Sequence, residues 1–204
     1  LALDLYKNII TNKIWPSSRK EVGYRDISFH PGLISFSGKP YIDVRMSFNT
    51  FTPKNIDDKT AEKLVNYYIN KLSNNPSLHD KVEFEICINS YDFKFDSRMK
   101  ELHQNGFSKS EILKISEVFK NLTSDIVNEK NIRIKDQIDQ TKLLENKRNE
   151  ILNSDIPIQD KIVKIIEDCK TYGTYPFSIM ARFGFVASIL FRSLRDVDVI
   201  SKDT

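Results

Sequence analysis

The chain has 204 residues, enough to bury one sizeable core or a main domain with a helical appendage. Its 31 basic and 28 acidic residues are interspersed, so the net charge of +3 reflects near-balance and does not favour a nucleic-acid-binding patch. Six scattered glycines make no phosphate-cradling loop, and His30, His79 and His103 stand singly, without metal-ligand spacing or a paired nucleophile.

From the N-terminus, Leu3, Leu5, Ile9, Ile10 and Ile14 repeat at helical spacing over residues 1–22, and Pro16 beside Trp15, read as a core anchor, marks a break or kink. The apolar runs 27–29 and 33–36 lie among Pro and Gly, which predicts a short strand feeding a turn at Ser37-Gly38. Residues 41–49 then alternate strictly, with Ile42, Val44, Met46 and Phe48 on one side and Tyr41, Asp43, Arg45, Ser47 and Asn49 on the other. That spacing predicts an amphipathic strand paired with the first. Asp57 or Asp58 caps a helix over 59–72 with Ala61, Leu64, Val65, Tyr68 and Leu72 inward, stopped by Asn74-Asn75-Pro76. Residues 81–95 alternate again, Val82, Phe84, Ile86 and Ile88 against Glu83, Glu85, Cys87, Asn89 and Tyr91, and predict a second strong strand.

Ser108 and Glu111 have capping-box spacing, and charged helical patterning runs from there to about residue 152, with one break expected near 122–125. Residues 155–157 open a helix with Ile158, Ile162, Ile165, Ile166 and Cys169 inward. Gly173 and Pro176 then read as a turn into a last, central helix from 176 to about 195. Arg182 and Arg192 leave that helix too short an apolar length for a membrane span. Cys87 and Cys169 have no redox or metal spacing and suit a reducing cytoplasm. The opening Leu1-Ala-Leu, with neither Met nor a signal-peptide pattern, reads as part of a longer polypeptide.

The polar strand faces offer binding chemistry more readily than catalysis. Arg45 and Arg182 suit bidentate capture of a carboxylate or phosphate, Glu83 or Glu85 an ammonium group, and Asn49, Asn89, Tyr91 or Thr174 an amide, with Asp43 on the same face. The plainer reading makes Arg45 with Glu83 or Glu85 a cross-strand ion pair, and gives Arg182 an acid from another element.

The runs Gly38-Lys-Pro-Tyr-Ile-Asp-Val-Arg45 with Ser47-Phe-Asn49, His79-Asp-Lys-Val-Glu-Phe-Glu85, and Tyr172-Gly-Thr-x-Pro-Phe177 with Ala181-Arg-x-Gly-Phe185 carry a resemblance. They resemble the middle region of bacterial proteins related to phosphoenolpyruvate synthase and pyruvate phosphate dikinase, in particular those of surface-polysaccharide clusters such as the L-glutamine kinases of capsule phosphoramidate synthesis. The resemblance covers most of the chain, with the charged helices of 108–155 alike in character only. It implies an ATP-grasp part before this region and a swivelling phosphohistidine domain after it, with ATP and Mg2+ bound outside the fragment and the phosphoryl acceptor held within it.

The expected fold is α+β, a small and mainly antiparallel sheet packed on helices, with a long charged helical hairpin at 108–155 inside one domain of residues 1–204. The expected function is acceptor-substrate binding, the acceptor being L-glutamine, in an ATP-dependent cytoplasmic phosphotransferase whose isolated fragment is inactive. Its partners would be the small substrate and the other domains of the parent chain, with neither nucleic acid nor membrane. The alternative is a non-catalytic module whose 108–155 hairpin binds another protein.

Overall fold

The computed structural model describes residues 2–27 and 30–201. Residues 28 and 29, in the first apolar run, lie outside them. The fold is α+β, a two-stranded antiparallel sheet set among helices. Helix α1 (Ala2–Tyr6) runs through a π-helical turn, Lys7–Thr11, to α2 (Ile14–Val22). The break falls at Asn12-Lys13. Pro16 sits in the first turn of α2, where a missing N–H costs nothing. Strands β1 (Leu33–Phe36) and β2 (Lys39–Ile42) form the expected hairpin, pairing Leu33 with Ile42 and Phe36 with Lys39. Its two-residue loop has φ of 50° at Ser37 and 76° at Gly38, the positive pair that matches the twist of a tight hairpin.

Neither long strand forms. The chain leaves β2 at Asp43, whose carboxylate accepts from the Met46 N–H at 3.1 Å and starts α3 (Val44–Asn49). Val44 and Phe48 share a side in a strand and in a helix, because a spacing of four is common to both periods, and the cap decides between them. Residues 81–95 depart in the same way: Val82–Ile86 is a π-helical turn, and Val82 and Ile86 are again four apart. The chain is extended only beyond it, and there Cys87, Ile88, Asn89 and Ser90 are all buried. Side-chain hydroxyls serve this stretch in place of a neighbouring strand. The Tyr68 hydroxyl accepts from the Ile88 N–H at 3.1 Å, Thr123 Oγ1 accepts from the Tyr91 N–H at 2.7 Å, and the Tyr24 hydroxyl donates to the Asn89 carbonyl at 3.0 Å.

Two cores follow from the helices. The larger gathers Phe48 and Phe51, Leu64 and Tyr68 of α4 (Asp58–Asn74), Ile86, Phe95 and Leu102 of α5 (Phe95–Gln104), and Ile115 and Phe119 of α6 (Lys109–Val127). The smaller holds Val22, Tyr24, Leu122, Ile126, Ile132, Ile179, Phe183 and Val186, so α6 crosses both. Asp57 caps α4, and Ser108 with Glu111 closes the expected capping box of α6. No break interrupts 122–125. The turn comes at 128–133 and leads to α7 (Ile134–Leu152), a polar helix on which only Gln137 is buried.

Helix α8 (Ile158–Asp168) has no buried residue. Ile158 and Ile162, expected inside, are 63% and 52% exposed, because α8 packs on α7 and the adjoining π-turn but meets no second layer among the described residues. The turn expected at 172–177 is also absent. A π-helical turn, Cys169–Thr174, carries α8 straight into α9 (Tyr175–Asp196), its wider winding accommodating Pro176. The continuous run Ile158–Asp196 is long and apolar enough to cross a membrane by length and composition. One face of α9, bearing Ile179, Arg182, Phe183, Val186 and Ile189, is nevertheless buried in the domain.

Candidate functional site

Where α2, β2, α3, the Val82–Ile86 turn and α9 converge they leave a cavity of about 740 Å³. Its walls are largely apolar, from Trp15, Phe48, Val82 and Phe185, and its mouth carries the exposed side chains of Tyr41, Ile42, Val44 and Phe177. The charged residues lining it are Arg19, Glu83 and Arg182, with exposed His79 as a further titratable group.

Local folding sets each of these. Gly23 ends α2, and Arg25 and Lys54 hydrogen-bond across to Thr52 and Gly23, which folds the 50–54 loop back beneath Arg19. Ser18 and Ser178 hydroxyls meet at 2.6 Å and fix α2 against α9 beside the cavity. The Asn89 side-chain amide donates to the Glu83 carbonyl, locking the turn that presents Glu83.

Arg182 is 2% exposed. The acid expected to neutralise it is absent: its Nη1 donates to Asn89 Oδ1 at 3.2 Å, and Nε has no partner. Aromatic faces take the place of a carboxylate, with the guanidinium carbon 4.5 Å from the Phe51 ring centroid, 5.2 Å from Tyr24 and 5.6 Å from Phe185. Rings attract the cation without cancelling its charge, so the positive potential remains available to the cavity. Arg19 is its neighbour, 4.7 Å from the same Phe51 ring and 5.4 Å from Trp15, with Nη1 donating to Thr50 Oγ1. Burial, reinforced by Arg182, brings the Arg19 guanidinium down to about 9 from its usual 12.5, and Glu83 pulls the other way. Neither arginine makes an ion pair among the described residues.

Of the residues singled out from sequence, the cavity brings together Glu83 and Arg182. The rest lie elsewhere. Arg45 is exposed on α3 and donates to Asn66 Oδ1 at 2.8 Å. Asp43 is the α3 cap, and Asn49 donates back to the Arg45 carbonyl at 2.9 Å. Glu85 is exposed, the Tyr91 ring packs 4.5 Å from Phe95, and Thr174 donates to the Ile9 carbonyl at 2.9 Å, bracing the Cys169–Thr174 π-turn. Asn89 is buried as the hydrogen-bond partner of Arg182, not open to a ligand. Arg19 carries the signal that sequence reasoning passed over. Set in Ser-Ser-Arg-Lys-Glu, it reads as one of a solvated polar run, and only its spacing of four from Trp15 hints otherwise.

Other candidates are structural. Burial pushes the Cys87 thiol up, which makes it unreactive, and buried Asp92 is paired with Arg98 at 2.8 Å. No cluster of metal-ligating side chains occurs among the described residues. Compared with protein-family models, curated proteins and solved structures, the chain matches none.

Proposed function

We propose that the cavity binds the small acceptor substrate of an ATP-dependent phosphotransferase, and that the chain is the acceptor-binding domain of such an enzyme in the cytoplasm. The observation that carries this reading is Arg182, a buried guanidinium at a cavity wall with an unpartnered Nε and no carboxylate beside it. A charge kept in that state costs folding free energy, and a ligand carboxylate is the natural group to offset it. Glu83 in the same cavity supplies the complementary charge for an ammonium, so an α-amino acid fits the pair, L-glutamine being the acceptor that the resemblance names. The apolar rim of Tyr41, Ile42, Val44 and Phe177 is what a second domain would cover while it delivers a phosphoryl group and keeps water out. ATP and Mg2+ would act on those other domains.

Calorimetric titration of L-glutamine into wild type and Arg182→Ala, with thermal melts of both, tests the reading. The variant should lose roughly tenfold or more in affinity, a difference of about 1.4 kcal/mol. Charge reversals in 134–152 should leave affinity unchanged. A second reading, a protein-interaction module, is favoured by the exposed apolar residues Leu143, Leu152, Ile158, Ile162 and Val163 on α7 and α8. Equal titration curves for the Arg182 variant and wild type would leave that reading in possession.

A further inference from the structure

The cavity's charges do not balance for a neutral zwitterion. Arg19 and Arg182 contribute two positive charges and Glu83 one negative. No other lining residue, on α2, β2, α3, the Val82–Ile86 turn or α9, adds a formal charge when His79 is neutral. An α-amino acid with an uncharged side chain satisfies Glu83 with its ammonium and one arginine with its carboxylate, and leaves the other guanidinium facing an apolar wall. The neighbouring positive charges repel one another, and the shared Phe51 ring attracts both without cancelling either.

We infer that Arg19 is a second oxyanion-binding residue and that the cavity's ligand carries two anionic groups and one ammonium, the charge pattern of an amino acid with an acidic side chain. This rests on the amino-acid reading above and changes its substrate class from an amide to an acid. One carboxylate meets Arg182, the other meets Arg19, and the ammonium meets Glu83. At about 740 Å³ the cavity has room for such a ligand, whose methylene stem would lie against Trp15, Phe48 and Phe185. Thr50, hydrogen-bonded to Arg19, leaves the rest of its donor fork available for a bidentate contact.

The test is titration at about pH 7 of wild type, Arg19→Gln and Arg19→Lys with L-glutamate, L-glutamine and inorganic phosphate, with folding of each checked by thermal melting. Wild type should prefer glutamate over glutamine by about tenfold or more, Arg19→Lys should keep part of that preference, and Arg19→Gln should abolish it while still binding glutamine. Glutamine bound as tightly as glutamate, with the ratio unmoved in Arg19→Gln, would overturn the inference alone. So would inorganic phosphate binding alongside glutamine, which would give Arg19 to a phosphoryl group instead. Folded wild type that binds neither amino acid would overturn the inference together with the reading beneath it.

Discussion

Arg182 and Arg19 show how a charge can be stored in an apolar wall without an acid. The desolvation of a buried guanidinium amounts to several kcal/mol, and each aromatic face returns only about 0.5 to 2 kcal/mol. Arg182→Met, close in volume, should therefore melt no lower than wild type while losing at least about tenfold in ligand affinity. A fall of several degrees with affinity retained would make the arginine a strut. Arg19 adds a pH dependence. Its guanidinium, lowered to about 9, is charged below that value, and the charged form binds the anion. Affinity for an acidic amino acid should stay level from about neutral pH to about pH 8 and fall above about pH 9, by up to about tenfold per unit. The ligand's own ammonium titrates equally against Arg19→Gln, so the difference between the two pH profiles isolates Arg19. Glu111 works in the opposite sense. The Ser108 N–H, donating at 2.7 Å, and Lys63, at 2.9 Å, hold its carboxyl down to about 2 from 4.5. Its contribution is present above about pH 4.5 and is lost as pH falls through about 2. In urea melts, Glu111→Gln should cost about 1 kcal/mol near neutrality and nothing at the acid end.

At the scale of elements, Gly23 controls the placement of α2 and so of Arg19. Its φ is 121°, and an added Cβ would stand 2.8 Å from Leu122 Cδ1 across the smaller core. Gly23→Ala should destabilise the fold by about 1 to 3 kcal/mol in denaturant melts, and an unchanged midpoint would mean that the loop repacks freely. Elements fixed by local chemistry were legible in the sequence. The Asp57 cap, the Ser108–Glu111 box, the Ser37-Gly38 hairpin turn and the apolar body of α9 all stand where residue type and spacing put them. The stretches at 41–49 and 81–95 were not legible as helical turns, because the apolar pairs Val44–Phe48 and Val82–Ile86 suit either period. An Asp43 cap also reads as one more polar residue in an alternating strand. Of the candidate site, Glu83 and Arg182 were found by their chemistry. Arg19 needed the tertiary fold, since nothing local says that Thr50 and Phe51 return to meet it.

For the molecule as a whole, the proposed function assigns the phosphoryl chemistry to other domains. Purified chain should not turn over ATP, alone or with an amino acid, in a phosphate-release assay, and sustained ATP turnover would contradict the division of labour proposed above. The account places ligand binding in the cavity of Arg19, Glu83 and Arg182, whose lining includes no residue of the polar helix α7 or of α8. The most direct measurement of that claim is a nuclear magnetic resonance titration following the arginine Nε–H and backbone amide signals as L-glutamate or L-glutamine is added. The account predicts saturable shifts at Arg19, Arg182, Glu83 and Ser178, converging on one dissociation constant, with the signals of 134–168 unmoved. Shifts confined to α7 and α8, or none at saturating ligand, would contradict it.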